Sequence, residues 1–383
     1  MSQPFFLGQR LQVEIEKLTY NGARGLSRTE HGVVFTPETA PGDVVKIEIS
    51  KVHKNFAEAR TVEIIEASSH RRPPPCSVYG RCGGCNMQHL HYEAQSQQKQ
   101  QMLKDLLRPL QKYEYEMQDW ISAPEEFFYR NRAQFHDQNG KIGFFERKSN
   151  QIVEFDRCWL LEKSVQEKLE EVKRSDLHQR PSRFELYSED PMTAPTGFFS
   201  QVNSAQNQRL LEIVSKLFKQ SLCTHPKLEM WDLYGGSGNF SFGLAKIYPE
   251  NSFVCVEASE SAVKFGKSKA NALDLKNLQY AASEVEIFLK QLRHSQINAA
   301  RFIVLDPPRT GLSKKAKQLL VSQVNSALVL YISCNPSTFA RDALDLCTNS
   351  PLQLKWVRGL DMFPQTDHIE LISCFAAPAF DSV

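Results

Sequence analysis

The sequence predicts an α/β protein: a doubly wound parallel sheet in its carboxyl-terminal domain, preceded by a small β-barrel and a central α+β domain. Three observations support this prediction. Strand-like and helix-like segments alternate from about residue 205 onward, which is typical of a doubly wound sheet. Short strands separated by turn signals occupy residues 8–66. The 383 residues exceed what one ordinary core accommodates. We therefore predict three domains, 1–68, 69–200 and 201–383.

Composition sets limits on the class of protein. Hydrophobic residues make up 41% of the chain and charged residues 23%, as in soluble globular proteins. We find neither a signal peptide nor an apolar run of about 18 residues, so we predict a cytoplasmic protein that does not bind a membrane, and we expect a monomer. The net charge is only +2, so a nucleic-acid partner does not follow from total charge.

The amino-terminal segment has the pattern of a small barrel. Residues 11–18 alternate in polarity with period two, and turn signals follow at 21–22 and 31–32. Further strand-like runs lie at 44–49 and 59–65. This spacing predicts a barrel of the oligonucleotide-binding type, although any small barrel that packs against a partner domain fits it too.

Three cysteines on one short loop predict a metal site. Cys76, Cys82 and Cys85 follow a run of prolines and are interleaved with glycines. Disulfides are disfavoured in a reducing compartment, so ligation explains the spacing better. Cys158 is the nearest remaining candidate for a fourth ligand. Zinc and an iron–sulfur cluster both accept four thiolates, and the spacing does not choose between them.

A glycine loop follows the first strand of the predicted doubly wound sheet. Residues 229–233 form the strand, and the loop at 235–238 brings backbone N–H groups close to a ligand. Glu257, at the end of the next strand, is placed to accept hydrogen bonds from ribose hydroxyls. The glycine spacing differs from the dinucleotide fingerprint, and hydride transfer needs neither the 306–308 motif nor the Cys334 thiol. These features favour S-adenosylmethionine over a dinucleotide.

Cys334 ends a strand and is followed at once by Asn-Pro, which places its thiol at the carboxyl edge of the sheet. A lone cysteine is most often an incidental packed residue. Its neighbours favour chemistry, since thiolate attack on carbon-6 of a pyrimidine activates carbon-5, and a base must then remove the carbon-5 proton. Glu370 can supply that base. The motif at Asp306 lacks the second cysteine of cytosine-5 enzymes, and Arg309 is not the aromatic residue of amino-group methyltransferases.

From the barrel to the last strand, the chain resembles the RNA uracil-5-methyltransferase family, in its iron–sulfur subgroup with an amino-terminal TRAM domain. The resemblance rests on Ser333-Cys334-Asn335-Pro336, on His368-x-Glu370 and on Phe199-Ser200-Gln201-Val202-Asn203. It implies a class I methyltransferase domain with a Rossmann-like sheet that uses S-adenosylmethionine. Tyr234 stands where the family usually has phenylalanine.

The resemblance also implies roles for individual residues. It makes Cys334 the nucleophile and Glu370 the base, and it places Phe199 beside the flipped base. It assigns a [4Fe–4S] cluster to Cys76, Cys82, Cys85 and Cys158. The predicted cofactor contacts are Gln201, Tyr234, Gly236, Asn239, Glu257, Asp306 and, on the loosest alignment, Glu284. Independently of the family, Arg132 in the basic segment 129–132 is a candidate for gripping the RNA backbone.

The predicted activity is methyl transfer from S-adenosylmethionine to carbon-5 of one uridine in RNA through a covalent cysteine adduct, forming 5-methyluridine. The leading substrate is 23S ribosomal RNA, and transfer RNA is the alternative. A non-catalytic RNA-binding or ribosome assembly protein would not need the set of Asp306, Cys334 and Glu370. A cysteine-dependent redox enzyme would need a resolving cysteine beside Cys334, and the motif has none.

Overall fold

A computed structural model describes residues 5–175, 181–188, 201–292 and 301–380. The chain divides into two compact units. The first comprises Met1–Met102, Pro124–Glu189 and Phe363–His368, and the second comprises Leu103–Ala123, Asp190–Met362 and Ile369–Val383. The predicted domain boundaries at residues 68 and 200 stay predictions.

The first unit begins with a six-stranded sheet. Its strands are β1 (Arg10–Glu14), β2 (Lys17–Thr19), β3 (Arg24–Thr29), β4 (Gly32–Thr36), β5 (Val44–Val52) and β6 (Phe56–Glu66). The strand order is β1-β5-β6-β4-β3-β2, so the two edge strands are joined by only two residues of chain. The sheet therefore curls into the predicted barrel. Val45, Ile47 and Ile49 alternate inward along β5 and are almost fully buried in its core.

The rest of the first unit is an α+β arrangement. The helix α1 (Tyr92–Leu106) follows the barrel, and the next strand along the chain, β7 (Glu116–Met117), belongs to the second unit. The remaining elements of the first unit are β8 (Arg132–Gln138), β9 (Lys141–Phe145), β10 (Ile152–Glu154), α2 (Lys163–Arg174) and β11 (Arg183–Tyr187). The strands form an antiparallel sheet in the order β10-β9-β8-β11. Val165 and Leu169, one turn apart on α2, are buried in the same core as Phe135 of β8.

The second unit is the predicted doubly wound domain. Its elements are α3 (Ser204–Thr224), β12 (Glu229–Leu233), α4 (Ser241–Ile247), β13 (Ser252–Glu257), α5 (Glu260–Ala272), β14 (Leu278–Ala282), α6 (Val285–Gln291), β15 (Arg301–Leu305), α7 (Lys314–Val321), β16 (Ala327–Ser333), α8 (Pro336–Asn349), β17 (Gln353–Leu360) and β18 (Glu370–Ala376).

The strand order of this sheet, β14-β13-β12-β15-β16-β18-β17-β7, places the ligand cleft. The first five strands are parallel, and β18 lies antiparallel between β16 and β17. The chain leaves β12 toward one edge and returns at β15 toward the other. A crevice opens at such a switch point, beyond the carboxyl ends of the strands. All seven residues of β16 are buried, as expected for a strand covered on both faces. No helix in the described ranges is long and apolar enough to cross a bilayer.

Candidate active site

Strand pairing brings Cys334 and Glu370 together. The antiparallel ladder of β16 and β18 ends on the pair Ser333 and Leu371. Cys334 and Glu370 are the next residues on the two strands, so they lie across from each other. Behind the thiol, the Asn335 side chain accepts a hydrogen bond from the Ser337 amide at 3.2 Å and caps α8. The predicted nucleophile and base thus share one end of the sheet.

Burial makes both groups hard to ionise. Glu370 is 2% exposed, and loss of solvent, with the nearby Asp306 carboxylate, raises its pKa well above the ordinary range. Burial and the negative charge of Glu370 raise the pKa of the half-buried Cys334 thiol to about 11. Once ionised, Cys334 is a strong nucleophile and Glu370 a strong base.

Arg309 is a site residue whose role the sequence reasoning missed. Its positive charge lowers the pKa of both Cys334 and Glu370 and so partly opposes the effect of burial. The backbone oxygen of Arg309 accepts hydrogen bonds from Asn335 Nδ2 at 3.0 Å and Thr338 Oγ1 at 3.2 Å, which hold its loop beside the start of α8. The sequence feature that could have identified Arg309 as a site residue is its position directly after Asp306-Pro307-Pro308.

Asp306, directly after β15, lies close to a second acidic residue, Asp232 on β12. Protein atoms around the Asp306 carboxyl exclude water and, with the charge of Asp232, raise the pKa of Asp306 to about 7, although part of the residue stays accessible. Asp232 is fully buried and accepts a hydrogen bond from the Ser241 amide at 3.0 Å. A positively charged ligand bound beside Asp306 would favour the ionised carboxylate and lower its pKa again.

The glycine loop leaves room for a ligand. Gly236 and Gly238 have φ angles of +59° and +94°, a region that costs other residues strain. An added Cβ at Gly238 would lie 2.5 Å from Tyr280 Oη, whereas one at Gly236 would meet nothing within 4 Å. The Gly236 amide donates to Glu257 Oε2 at 3.1 Å, so the predicted ribose-binding carboxylate is held against the loop.

A cavity of about 690 Å³ collects most of the predicted cofactor residues. Its lining includes Gln201, Tyr234, Gly236, Asn239 and Asp306. An open loop, a buried acidic edge and a cavity of this size fit a bulky, positively charged cofactor such as S-adenosylmethionine.

Three other predicted residues stand differently. Glu284 is exposed at the start of α6 and is not among the residues lining this cavity. Phe199 lies outside the described residues. Arg132 is buried and paired with Glu185 at 2.7 Å, so its guanidinium joins β8 to β11. Its predicted grip on the RNA backbone stays a prediction, and this placement gives it no support.

The four cysteines of the predicted metal site line a second cavity, of about 760 Å³, in the first unit. All four are free thiols. Burial, together with the charges of neighbouring cysteines, raises the pKa of Cys82, of Cys85 and, to about 11, of Cys158. Within the described ranges, no three His, Cys, Asp or Glu side chains form a group that could hold a metal ion. The four thiols therefore share one cavity and lie within electrostatic range of one another.

Comparison with known protein families gives two matches along the chain. Residues 4–62 match the TRAM domain. Residues 188–375 match the family described as tRNA (Uracil-5-)-methyltransferase. The two matches fall on the barrel and on the doubly wound domain.

Similar proteins extend these matches over nearly the whole chain. An RNA methyltransferase of Bdellovibrio bacteriovorus is 36% identical over 96% of this chain and 95% of its own. The 23S rRNA (uracil(1939)-C(5))-methyltransferase of Mannheimia succiniciproducens is 28% identical, with 96% of each chain covered. The crystal structure of Pyrococcus abyssi tRNA (uracil-54, C5)-methyltransferase with S-adenosyl-L-homocysteine superimposes with a TM-score of 0.71 over 95% of this chain and 99% of that chain, at 22% identity. That likeness confirms the fold. The chain belongs to the RNA uracil-5-methyltransferase family, with an amino-terminal TRAM domain.

Proposed function

We propose that this protein transfers the methyl group of S-adenosylmethionine to carbon-5 of one uridine in 23S ribosomal RNA and forms 5-methyluridine. The observation that carries the proposal is the placement of Cys334 opposite Glu370, beside Asp306, at the edge of the sheet where the glycine loop lies. A thiol and a carboxyl in register are what covalent activation of uracil needs.

The two residues act in sequence. The Cys334 thiolate bonds to carbon-6, and the electron pair of the carbon-5–carbon-6 double bond makes carbon-5 a nucleophile. S-adenosylmethionine, when bound, would supply the electrophilic methyl group and would leave as S-adenosylhomocysteine. The Glu370 carboxylate then takes the proton from carbon-5, and its electrons restore the double bond and expel Cys334 as a thiolate. Asp306 and Glu257 orient the cofactor. A base held in a duplex cannot reach a half-buried thiol, so the uridine must leave its stack.

The choice of ribosomal RNA is supported by relatives that match over nearly their whole length and whose names specify 23S rRNA. Transfer RNA is the second candidate, favoured by the description of the matching family and by the fold of the Pyrococcus enzyme. The chemistry at Cys334 is the same for either substrate.

We propose further that Cys76, Cys82, Cys85 and Cys158 hold a [4Fe–4S] cluster. The support is that the four thiols line one roomy cavity. Four thiolates on a cluster bind different iron atoms, so they need not converge as closely as the ligands of one ion. Methyl transfer needs no redox step, so the cluster would hold the loop in place.

The decisive experiment measures tritium release from RNA labelled at carbon-5 of uridine. Wild-type protein should release tritium, Cys334→Ala should release none, and Cys347→Ala should behave as wild type, since Cys347 lies elsewhere, on α8. Glu370→Gln should accumulate a protein–RNA adduct on a denaturing gel, because the carbon-5 proton stays in place. Undiminished release by Cys334→Ala would overturn the mechanism. Separate assays with 23S and transfer RNA decide the substrate.

A further inference from the structure

Three aromatic side chains cluster with an arginine on the first unit. The ring centroids of Phe128 and Trp159 are 5.6 Å apart, and the Phe127 ring lies 5.8 Å from Trp159. The guanidinium of Arg157 lies 4.7 Å from the Phe128 centroid and 4.8 Å from that of Trp159. We call Phe127, Phe128, Arg157 and Trp159 the aromatic platform.

Backbone contacts hold the platform together. The Phe128 amide donates to the Trp159 carbonyl at 2.9 Å, and the Arg130 amide donates to the Leu160 carbonyl at 2.8 Å. These bonds align two segments about 30 residues apart in sequence. Phe128 has a φ of +54°, a strained conformation for a bulky residue. Phe128 is 39% exposed, so its ring remains accessible to a ligand.

Two arginines lie against these aromatic rings, and they differ in their partners. Arg72, over Phe127 at 5.2 Å, is occupied by a two-pronged ion pair with Glu126. Arg157 is exposed, and in the described part of the chain no carboxylate lies within ion-pair distance of it. Its positive charge thus stays available beside flat aromatic faces.

The platform also borders the cysteine cavity. Arg157 and Trp159 flank Cys158 in sequence, and both line that cavity together with Arg130. A group bound by Cys158 would fix the backbone that carries the platform. The position gives the cysteine loop a use that does not involve electron transfer.

We propose that the aromatic platform binds an unpaired stretch of the RNA substrate, with bases stacked on the Phe128–Arg157–Trp159 surface and Arg157 neutralising a phosphate. A nucleotide combines a flat base with an anion, and unpaired RNA is commonly held by aromatic rings and guanidinium planes. The matching TRAM domain in the same unit also points to RNA rather than to a protein partner. This inference rests on the proposed function, for which it supplies a substrate contact.

The test measures binding of a fluorescein-labelled, single-stranded RNA of about 12 nucleotides, a length that spans one ordinary binding site. In the double variant Phe128→Ala/Trp159→Ala, Kd should rise roughly five- to a hundred-fold. Arg157→Gln should raise Kd and lower the slope of log Kd against log salt by about one. The control is Tyr113→Ala. The Lys112 ammonium lies 5.0 Å from the Tyr113 ring centroid, so this pair also combines a cation with an aromatic ring, but it belongs to the other unit. Its Kd should equal that of wild type.

Trp159→Phe keeps a stacking surface and guards against misfolding of the double variant. It should bind RNA within about threefold of wild type and should lose much of the RNA-induced quenching of tryptophan fluorescence. Equal Kd values for wild type, the double variant and Arg157→Gln would overturn the proposal that the platform binds RNA. This surface would then be assigned to a protein partner. Tritium release by the wild type separates the two proposals. Release with equal Kd values refutes only the platform, whereas weaker binding by the variants without any release refutes only the methyl transfer.

Discussion

Cys334 lies across from Glu370 because the ladder between β16 and β18 ends one residue before the thiol and one residue after the carboxyl. A negative charge on Glu370 makes the Cys334 thiol harder to ionise. The pKa of each is raised, and Arg309 opposes the rise in both. The structure therefore couples the formation of the nucleophile to the charge of the base.

This coupling predicts a rate that increases with pH. Because the pKa of Cys334 is raised to about 11, the thiolate fraction grows nearly tenfold for each pH unit below that value. Single-turnover methyl transfer should therefore accelerate steadily between about pH 6.5 and 9. A flat profile over this range would mean that the thiol is already ionised. Arg309→Gln should shift the profile to higher pH, and Arg309→Lys, which keeps the charge, should shift it less.

Asp306 should make the protein less stable as pH rises. Its pKa is about 7 in the folded chain against the ordinary 3.8, so the folded state holds a proton that the unfolded state has lost. The resulting stability is complete below about pH 4 and is lost as pH rises through about 7. Asp306→Asn should raise Tm at pH 8 relative to wild type and leave it similar at pH 4. Asp274→Asn, at a side chain 82% exposed, is the control. An equal Tm difference at both pH values would contradict this prediction.

Gly236 should matter for the cofactor more than for folding. An alanine there has space but must adopt a positive φ, at a cost of about 1–2 kcal/mol. Its methyl group would also enter the loop that lines the cofactor cavity, so Gly236→Ala should raise the Kd for S-adenosylmethionine at least tenfold by calorimetry, about 1.4 kcal/mol. Gly8→Ala has the same features, φ +78° and nothing within 4 Å, on the barrel. It should lower Tm comparably and leave the Kd unchanged.

The cysteine loop should carry iron. Protein purified without oxygen should show visible thiolate-to-iron absorbance, and Cys82→Ser should lose that band and the bound iron. Cys223→Ser is the matched control, because Cys223 is an exposed free thiol that does not line the cysteine cavity. A colourless wild type containing zinc would contradict the cluster.

The sequence by itself determined the elements of the fold and the candidates for the site. The strand-like runs at 44–49 and 229–233 depend on residues close together along the chain, and both form strands as predicted. The thiol of Cys334 and the carboxyl of Glu370 were identified from short motifs, because chemistry restricts the residue type at such positions.

Tertiary structure decided the properties that depend on residues distant in sequence. The short strand β7 was not predicted from the sequence, and it pairs with β17 at the edge of the sheet. It has only two residues, which is too few to show the alternation that identifies a strand. The sequence alone does not distinguish Arg132 from Arg157. In the folded chain, Arg132 is buried and paired with Glu185, whereas Arg157 is exposed and lies over aromatic rings. Likewise, the sequence supplied the nucleophile and the base, whereas strand register and exclusion of water set their pKa values, since those depend on what surrounds a group after folding.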